Sequence, residues 1–108
     1  MSVMFVYATA ADAGEAARIG RAVVSERLAA CANILPGMRS YYWWEGQLAE
    51  GAETVLILKS TNERLSALIA RVKELHSYDC PCIEALAVAD GNPAFLDWVA
   101  RETQGDAK

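Results

Sequence analysis

Residues 28–46 read LAACANILPGMRSYYWWEG, and this stretch decides the fold of the chain. A Pro-Gly pair at 36–37 predicts a break between two extended halves. The aromatic run at 41–44 consists of strong strand formers, and a Glu-Gly pair at 45–46 predicts the turn that closes it. Because successive side chains of a strand point to opposite faces, four adjacent aromatics require cover on both faces. One small domain rarely provides that cover alone, so the stretch predicts an assembly.

The segments that precede and follow this stretch show strand and helix patterns. Residues 3–8 and 53–60 are apolar on both faces at their centres, which predicts two central, doubly covered strands. Asp12, with Glu15 three residues later, predicts a capping box that opens a helix. Apolar side chains then recur at helical spacing until the helix ends near Leu28.

The second half of the chain repeats the alternation. Thr61 or Asn62 is expected to cap a second helix, whose apolar stripe runs from 65 to 75. Residues 80–88 predict a strand that starts with a proline at its second position, which is typical of an edge strand or of strand beginnings. An Asn-Pro pair at 92–93 then opens a short final helix.

The order of these elements is strand, helix, strand, strand, helix, strand, followed by a C-terminal helix. This is the α+β class, and specifically the ferredoxin-like split βαβ (βαββαβ) sandwich, formed as one domain by residues 1–108. That arrangement has its first and third strands at the centre, in agreement with the two most evenly apolar segments. Two helices cover only one face of the sheet, so the other apolar face predicts a partner. Symmetry arguments alone would favour a dimer.

Composition limits the classes of function. The chain has 108 residues, of which 54% are hydrophobic and 22% charged, as in ordinary globular proteins. A net charge of −4 argues against nucleic acid or an anionic membrane as the main partner. No segment approaches the roughly 20 apolar residues of a membrane span. Three cysteines, an odd number without a secretion signal, predict reduced thiols and a cytoplasmic protein.

Motifs spread over residues 3–102 resemble the CutA family of divalent-cation tolerance proteins. They are Leu28–Ile34, the Pro-Gly pair at 36–37, residues 42–46, Leu58–Thr61, Leu75–Pro81, and Gly91-Asn92 with Trp98. The resemblance implies a homotrimer that is linked to tolerance or binding of divalent cations, copper in particular. It also implies an architecture similar to the PII-like trimers, in which clefts between subunits suit small ligands.

Residues 76–84, which read HSYDCPCIE, contain the densest cluster of ligand-type side chains. In a strand, Cys80, Cys82 and Glu84 would share one face, about 6.6–6.8 Å apart at each step. A bend at the proline between the cysteines could bring both thiolates to one metal. Together with the imidazole of His76 they suit Cu(I) or Zn(II). The alternative is that the cysteines only pack and the histidine caps helix carbonyls.

A second candidate site follows from the resemblance. The family typically reads His-Pro-Tyr-x-x-Pro-Glu in this region, whereas this chain has serine at 77 and cysteine at 82. A carboxylate role at position 82 therefore does not carry over. We expect a ligand pocket where Trp44 and Glu45 meet Tyr78 across a subunit boundary, with His76 and Glu84 beside them.

Signals for an enzyme are poor, because the chain lacks a Ser/His/Asp constellation, a phosphate-binding loop and a second histidine. A Cys–His nucleophile pair, for example Cys80 with His76, is formally possible, but such pairs need a specific three-dimensional geometry that the sequence does not imply. Cys31 is expected to be a small buried core residue. Three functions remain open: tolerance and binding of metal cations, sensing of a small ligand as in PII-like proteins, and a scaffold for a partner protein. The sequence does not name the metal, the ligand or the partner.

Overall fold

The computed structural model describes residues 2–104. In chain order its elements are β1 (Val3–Ala10), α1 (Ala13–Ser25), β2 (Cys31–Trp44), β3 (Gln47–Thr61), α2 (Leu65–Leu75), β4 (Ile83–Ala87) and α3 (Pro93–Glu102). The predicted βαββαβ order with a C-terminal helix is confirmed. Within the described part of the chain, no helix is both long and apolar enough to cross a membrane.

The four strands form one antiparallel sheet in the order β2-β3-β1-β4. The two evenly apolar segments, β1 and β3, are therefore central as predicted. Leu58 of β3 pairs with Val6 of β1 on one side and with Ala32 of β2 on the other, and Val6 also pairs with Ala85 of β4. This row crosses the whole sheet and points toward α1 and α2.

Helices α1 and α2 cover one face of the sheet and form the main core. Ile19 of α1 and Leu68 of α2 are fully buried and belong to the same cluster as Val6, Leu56 and Leu58. Each fully buried side chain of this kind contributes about 1.5–3 kcal/mol to stability. We call the opposite side of the sheet the open face; α3 covers it at one end only, where Val99 packs with Val3 and Ala30.

The expected break at the Pro-Gly pair is instead a β-bulge within one continuous strand. Leu35 pairs with Val55 and Met38 with Glu53, so two residues of β2 oppose one of β3. Gly37 has φ +85°, which glycine adopts without strain. The bulge adds one residue to β2, so Leu35 and Met38 lie on the same face of the sheet although they are three positions apart. Without the extra residue, every β2 side chain beyond the bulge would lie on the opposite face.

The turn at 45–46 is confirmed, and both of its residues have positive φ, as in a type I′ hairpin. Strand β3 starts directly after this turn, at Gln47. The β2–β3 hairpin therefore extends past the helices, and Trp43 is 75% and Trp44 63% exposed in the single chain. On the open face, Leu86 is 60% exposed. These apolar surfaces are the ones for which the sequence predicted a partner.

Helix boundaries confirm two predicted caps and correct a third. Asp12 caps α1, which ends at Ser25 rather than near residue 28, and the predicted Asn-Pro start of α3 is confirmed. The predicted cap of α2 at Thr61 or Asn62 is wrong, because β3 continues to residue 61 and α2 follows Arg64, which makes no side-chain cap. The Asn62 side chain instead accepts a hydrogen bond from the backbone N–H of Ser2, 2.8 Å away.

Gly20 lets α1 approach the sheet closely. A Cβ at this position would lie 3.0 Å from the Cβ of Ala32 and 3.3 Å from Cδ1 of Leu56. We expect Gly20→Val to lower the free energy of unfolding by about 1–3 kcal/mol through overpacking. Urea denaturation at fixed chain concentration measures the change. Ala17→Val, at an exposed position of the same helix, is the control for helix propensity, and equal losses in the two variants would contradict close packing at Gly20.

Candidate functional site

The predicted ligand residues lie in the connection between α2 and β4, which we call the 76–82 segment. Strand β4 begins at Ile83 rather than at Cys80, so the shared strand face predicted for the two cysteines and Glu84 is wrong. Pro81 has no N–H for a ladder, and the carbonyl of Cys82 accepts a single bond from the N–H of Thr9, at 3.3 Å. The two cysteines thus precede the strand, and only Glu84 lies in it.

His76 begins the segment with both of its ring nitrogens engaged. Nε2 lies 2.7 Å from the carbonyl oxygen of Thr9, and Nδ1 lies 3.0 Å from the N–H of Tyr78. A carbonyl only accepts, so Nε2 carries the proton and Nδ1 accepts from Tyr78. The His76 side chain is only 1% exposed. A metal would have to displace one of these partners, so the ligand role of His76 stays a prediction that the geometry does not favour.

Glu15 makes a connection that the sequence did not reveal. Its Oε1 accepts from the N–H of Ala11 at 2.9 Å, and its Oε2 accepts from the N–H of Ser77 at 2.7 Å and lies 3.8 Å from Nδ1 of His76. The predicted capping box is half present, because Asp12 accepts from the N–H of Glu15 at 2.8 Å. The Glu15 carboxylate joins the start of α1 to the start of the 76–82 segment.

Charge and burial compete at Glu15. Burial raises the pKa of the Glu15 carboxyl, but the hydrogen bonds from Ala11 and Ser77, with a smaller contribution from His76, outweigh it. The net result is a pKa below the ordinary value of 4.5. Glu15 is therefore ionised at neutral pH although its side chain is buried. The only signal in the sequence was an acidic residue three positions after a capping residue.

The three cysteines are free thiols. Cys80 and Cys82 are exposed, whereas Cys31 is partly exposed instead of fully buried as predicted. Desolvation of the sulfur raises the pKa of the Cys82 thiol, and the negative charges of Glu84 and Glu53 raise it further. A hydrogen bond with the Thr9 side chain acts in the opposite direction.

The possible metal ligands do not form a complete site in one chain. Within residues 2–104, no group of three or more His, Cys, Asp or Glu side chains is arranged to hold a metal ion. Cys80 and Cys82, separated by one residue, offer at most two soft ligands. A cation bound there would complete its coordination with solvent, with a small molecule or with another copy of the chain.

Tyr78 connects the segment to the open face. Its hydroxyl donates to Oε2 of Glu53 at 3.2 Å, and Oε1 of the same carboxylate accepts from the Ser40 hydroxyl at 2.7 Å. Desolvation and then the Glu53 charge raise the pKa of Tyr78. Tyr7 lies beside this group, and desolvation followed by the charge of Cys82 raises its pKa as well. No motif or spacing in the sequence pointed to Glu53 or Tyr7.

Trp44 and Glu45 lie elsewhere in the chain. They occupy the tip of the β2–β3 hairpin, where Trp44 pairs with Gln47. Glu53 lies six positions beyond Gln47 in β3, a distance of about 20 Å along an extended strand. A single chain therefore does not bring Trp44 and Glu45 to Tyr78, and the predicted pocket at a subunit boundary stays a prediction. Glu84 pairs with Tyr7 in the sheet.

The chain is similar in sequence to proteins of one known family. A family model described as CutA1 divalent ion tolerance protein matches residues 4–102. The divalent-cation tolerance protein CutA of Thermus thermophilus is 47% identical over 85 residues, which are 79% of this chain and 82% of that protein. The chloroplastic Protein CutA 1 of Oryza sativa is 41% identical over 99 residues. That match covers 92% of this chain but only 56% of the rice protein, so the chain spans about half the length of this relative.

Solved structures are similar over nearly the whole fold. The crystal structure of CutA from Xylella fastidiosa has a TM-score of 0.94 at 36% identity, and the match covers 96% of this chain and all of that one, 100%. The crystal structure of CutA1 from Oryza sativa has a TM-score of 0.93 at 39% identity, with 96% and 95% of the two chains covered.

The ionised Glu15 gives a prediction about stability and pH. We expect Glu15→Gln to lower the free energy of unfolding at pH 7 by about 1–3 kcal/mol, because an amide NH₂ must face one of two backbone donors. Because the folded-state pKa is depressed, the carboxylate's contribution is present above pH 4.5 and is lost as the pH falls through the folded-state value. Denaturation curves of both proteins between pH 3 and pH 7 (roughly the range over which a glutamate titrates) should converge in acid. A pH-independent difference would contradict the assignment.

Proposed function

We propose that this chain, which belongs to the CutA1 divalent ion tolerance protein family, binds a soft metal cation, copper above all, through Cys80 and Cys82. The observation that carries this proposal is the pair of free, exposed thiols on either side of Pro81. Binding of copper by these thiols is how the protein would take part in tolerance of metal ions.

The number and type of ligands favour copper over zinc. Thiolates are soft ligands that select Cu(I) and Zn(II), whereas Mg(II) and Ca(II) prefer oxygen. Structural zinc sites are closed by about four protein ligands, but Cys80 and Cys82 supply only two, and His76 is engaged by Thr9 and Tyr78. Cu(I) accepts a low coordination number, so a thiol pair suits it better.

A binding protein fits the structure better than an enzyme does. A Cys80–His76 pair would need a ring nitrogen that is free to take the thiol proton. Both nitrogens of His76 are hydrogen-bonded to backbone groups of the chain. The free thiols also suit a reducing compartment, so we propose the cytoplasm as the location.

We propose further that the protein acts as a homotrimer. The apolar surfaces that the helices leave uncovered support this assembly: the hairpin tip with Trp43 and Trp44, and the open face with Leu35 and Leu86. The number three comes from the resemblance in the sequence. A trimer would also bring three copies of the 76–82 segment into one particle, which gives a bound cation access to ligands from more than one chain.

Competition titration tests the metal proposal. We expect reduced wild-type protein to bind Cu(I), and Cys80→Ser/Cys82→Ser to lose more than about 100-fold in affinity, because outer-shell changes alone cost about 10–100-fold. Cys31→Ser is the matched control, since it removes the third free thiol and should keep wild-type affinity. Equal affinity in the double variant would refute the role of these thiols and favour a small-ligand or scaffold function.

Light scattering tests the assembly. We expect a particle of about three times the 11.7 kDa mass of the chain at micromolar concentration. Trp43→Asp should dissociate or unfold it, because burying an unpaired charge at an interface is costly. Ala17→Asp, on the exposed side of α1, should leave the particle intact. A folded wild-type monomer, or an intact trimer of Trp43→Asp, would show that the hairpin tip is not an interface.

A further inference from the structure

We propose that Glu15 is a positioning residue for the thiol pair. Its buried carboxylate holds the start of the 76–82 segment and thereby keeps Cys80 and Cys82 in one arrangement that acts as a bidentate ligand. The proposal rests on the proposed function only for the identity of the cation, because the arrangement of the thiols is a property of the chain itself.

The start of the segment is held by consecutive backbone contacts. Glu15 accepts from the N–H of Ser77 at 2.7 Å, and His76 accepts from the N–H of Tyr78 at 3.0 Å. The Glu15 carboxylate also lies 3.8 Å from Nδ1 of His76. Two successive N–H groups are thus held, that of Ser77 by the Glu15 carboxylate and that of Tyr78 by the ring of His76, and the segment leaves α2 in a defined direction.

Both ends of the 76–82 segment are hydrogen-bonded to the backbone of Thr9. The ring of His76 donates to the carbonyl of Thr9 at 2.7 Å, and the N–H of Thr9 donates to the carbonyl of Cys82 at 3.3 Å. The segment is therefore a loop closed on Thr9. Cys80 lies within this loop and Cys82 at its closing point, so the orientation of the first residues affects the spacing of the two thiols.

Glu15 suits this role because of its charge and its place on α1. A carboxylate that accepts backbone N–H groups makes hydrogen bonds roughly twice as strong as neutral ones. The first turn of a helix favours negative charge, and the second oxygen of Glu15 is held by the N–H of Ala11 at 2.9 Å. If an amide replaces this carboxylate, the charge is lost and its NH₂ must face the N–H of either Ala11 or Ser77, so the start of the segment is held less firmly.

Release of the segment should weaken the binding of any ligand that needs both thiols. The second bond of a bidentate ligand forms at a high effective concentration only while the two groups are held together. Pro81 restricts the chain between the cysteines, since its φ is fixed, but it does not orient the segment as a whole. A ligand that binds one thiol alone should not respond to Glu15.

Phenylarsine oxide tests the arrangement without copper. Its arsenic condenses with two thiols to form two As–S bonds, and its oxygen leaves as one water with both thiol protons, so nothing is oxidised or reduced. We expect Glu15→Gln to lower the affinity for both phenylarsine oxide and Cu(I) by about tenfold, which is the lower end of the effects of outer-shell changes. Glu26→Gln is the matched control, because Glu26 ends the same helix and pairs with Arg71 at the surface. It should bind both probes as the wild type does.

The outcomes separate a positioning role from a purely structural one. All affinities are measured on protein shown to be folded by circular dichroism, and Glu15→Asp, one methylene too short to reach both backbone donors, serves if Glu15→Gln does not fold. A less stable variant with wild-type affinity for phenylarsine oxide would overturn the proposal. If wild type binds phenylarsine oxide through Cys80 and Cys82 but not Cu(I), the proposed function fails, and the response of Glu15→Gln to the arsenical still decides the positioning role.

Discussion

The backbone N–H and C=O groups of Thr9 need hydrogen-bond partners, and this requirement joins the fold to the candidate site. Strand β4 pairs with β1 only as far as Ala8, so the next residue of β1 faces the end of that ladder. Thr9 is buried, and buried backbone groups are almost always hydrogen-bonded. The ring of His76 and the carbonyl of Cys82 supply its partners. The segment with the candidate metal ligands thus completes the hydrogen bonding of the central strand.

Much of the fold could be predicted because its signals are local. The apolar centres of β1 and β3 and the helical stripes of α1 and α2 lie within single elements, and they gave the correct order and the correct central strands. The bulge at the Pro-Gly pair depends on the pairing of β2 with the far end of the same hairpin, where Leu35 pairs with Val55, so the dipeptide by itself indicates only a break. Asn62 was predicted to cap a helix for the same reason, whereas its side chain binds Ser2, sixty positions away.

The candidate site was predictable in residue type but not in geometry. Cys80 and Cys82 stood out by their chemistry, yet strand periodicity placed them on a face that does not exist, since the ladder of β4 starts later. The sequence suggests His76 as a ligand because it lies only a few residues before the two cysteines. Its two hydrogen bonds depend on β1 and on the turn after α2, and no spacing in the sequence reveals them. The link from Glu15 to Ser77 spans 62 positions and has no sequence signal of its own.

The environment of Cys82 bears on the proposed binding of a cation. Desolvation and the charges of Glu84 and Glu53 raise the pKa of the Cys82 thiol, so the sulfur keeps its proton at neutral pH and is a weak nucleophile. A cation bound there, as proposed, would replace the proton and be attracted by the same carboxylates. Such binding would release a proton, and the negative charge around Cys82 would favour the bound cation.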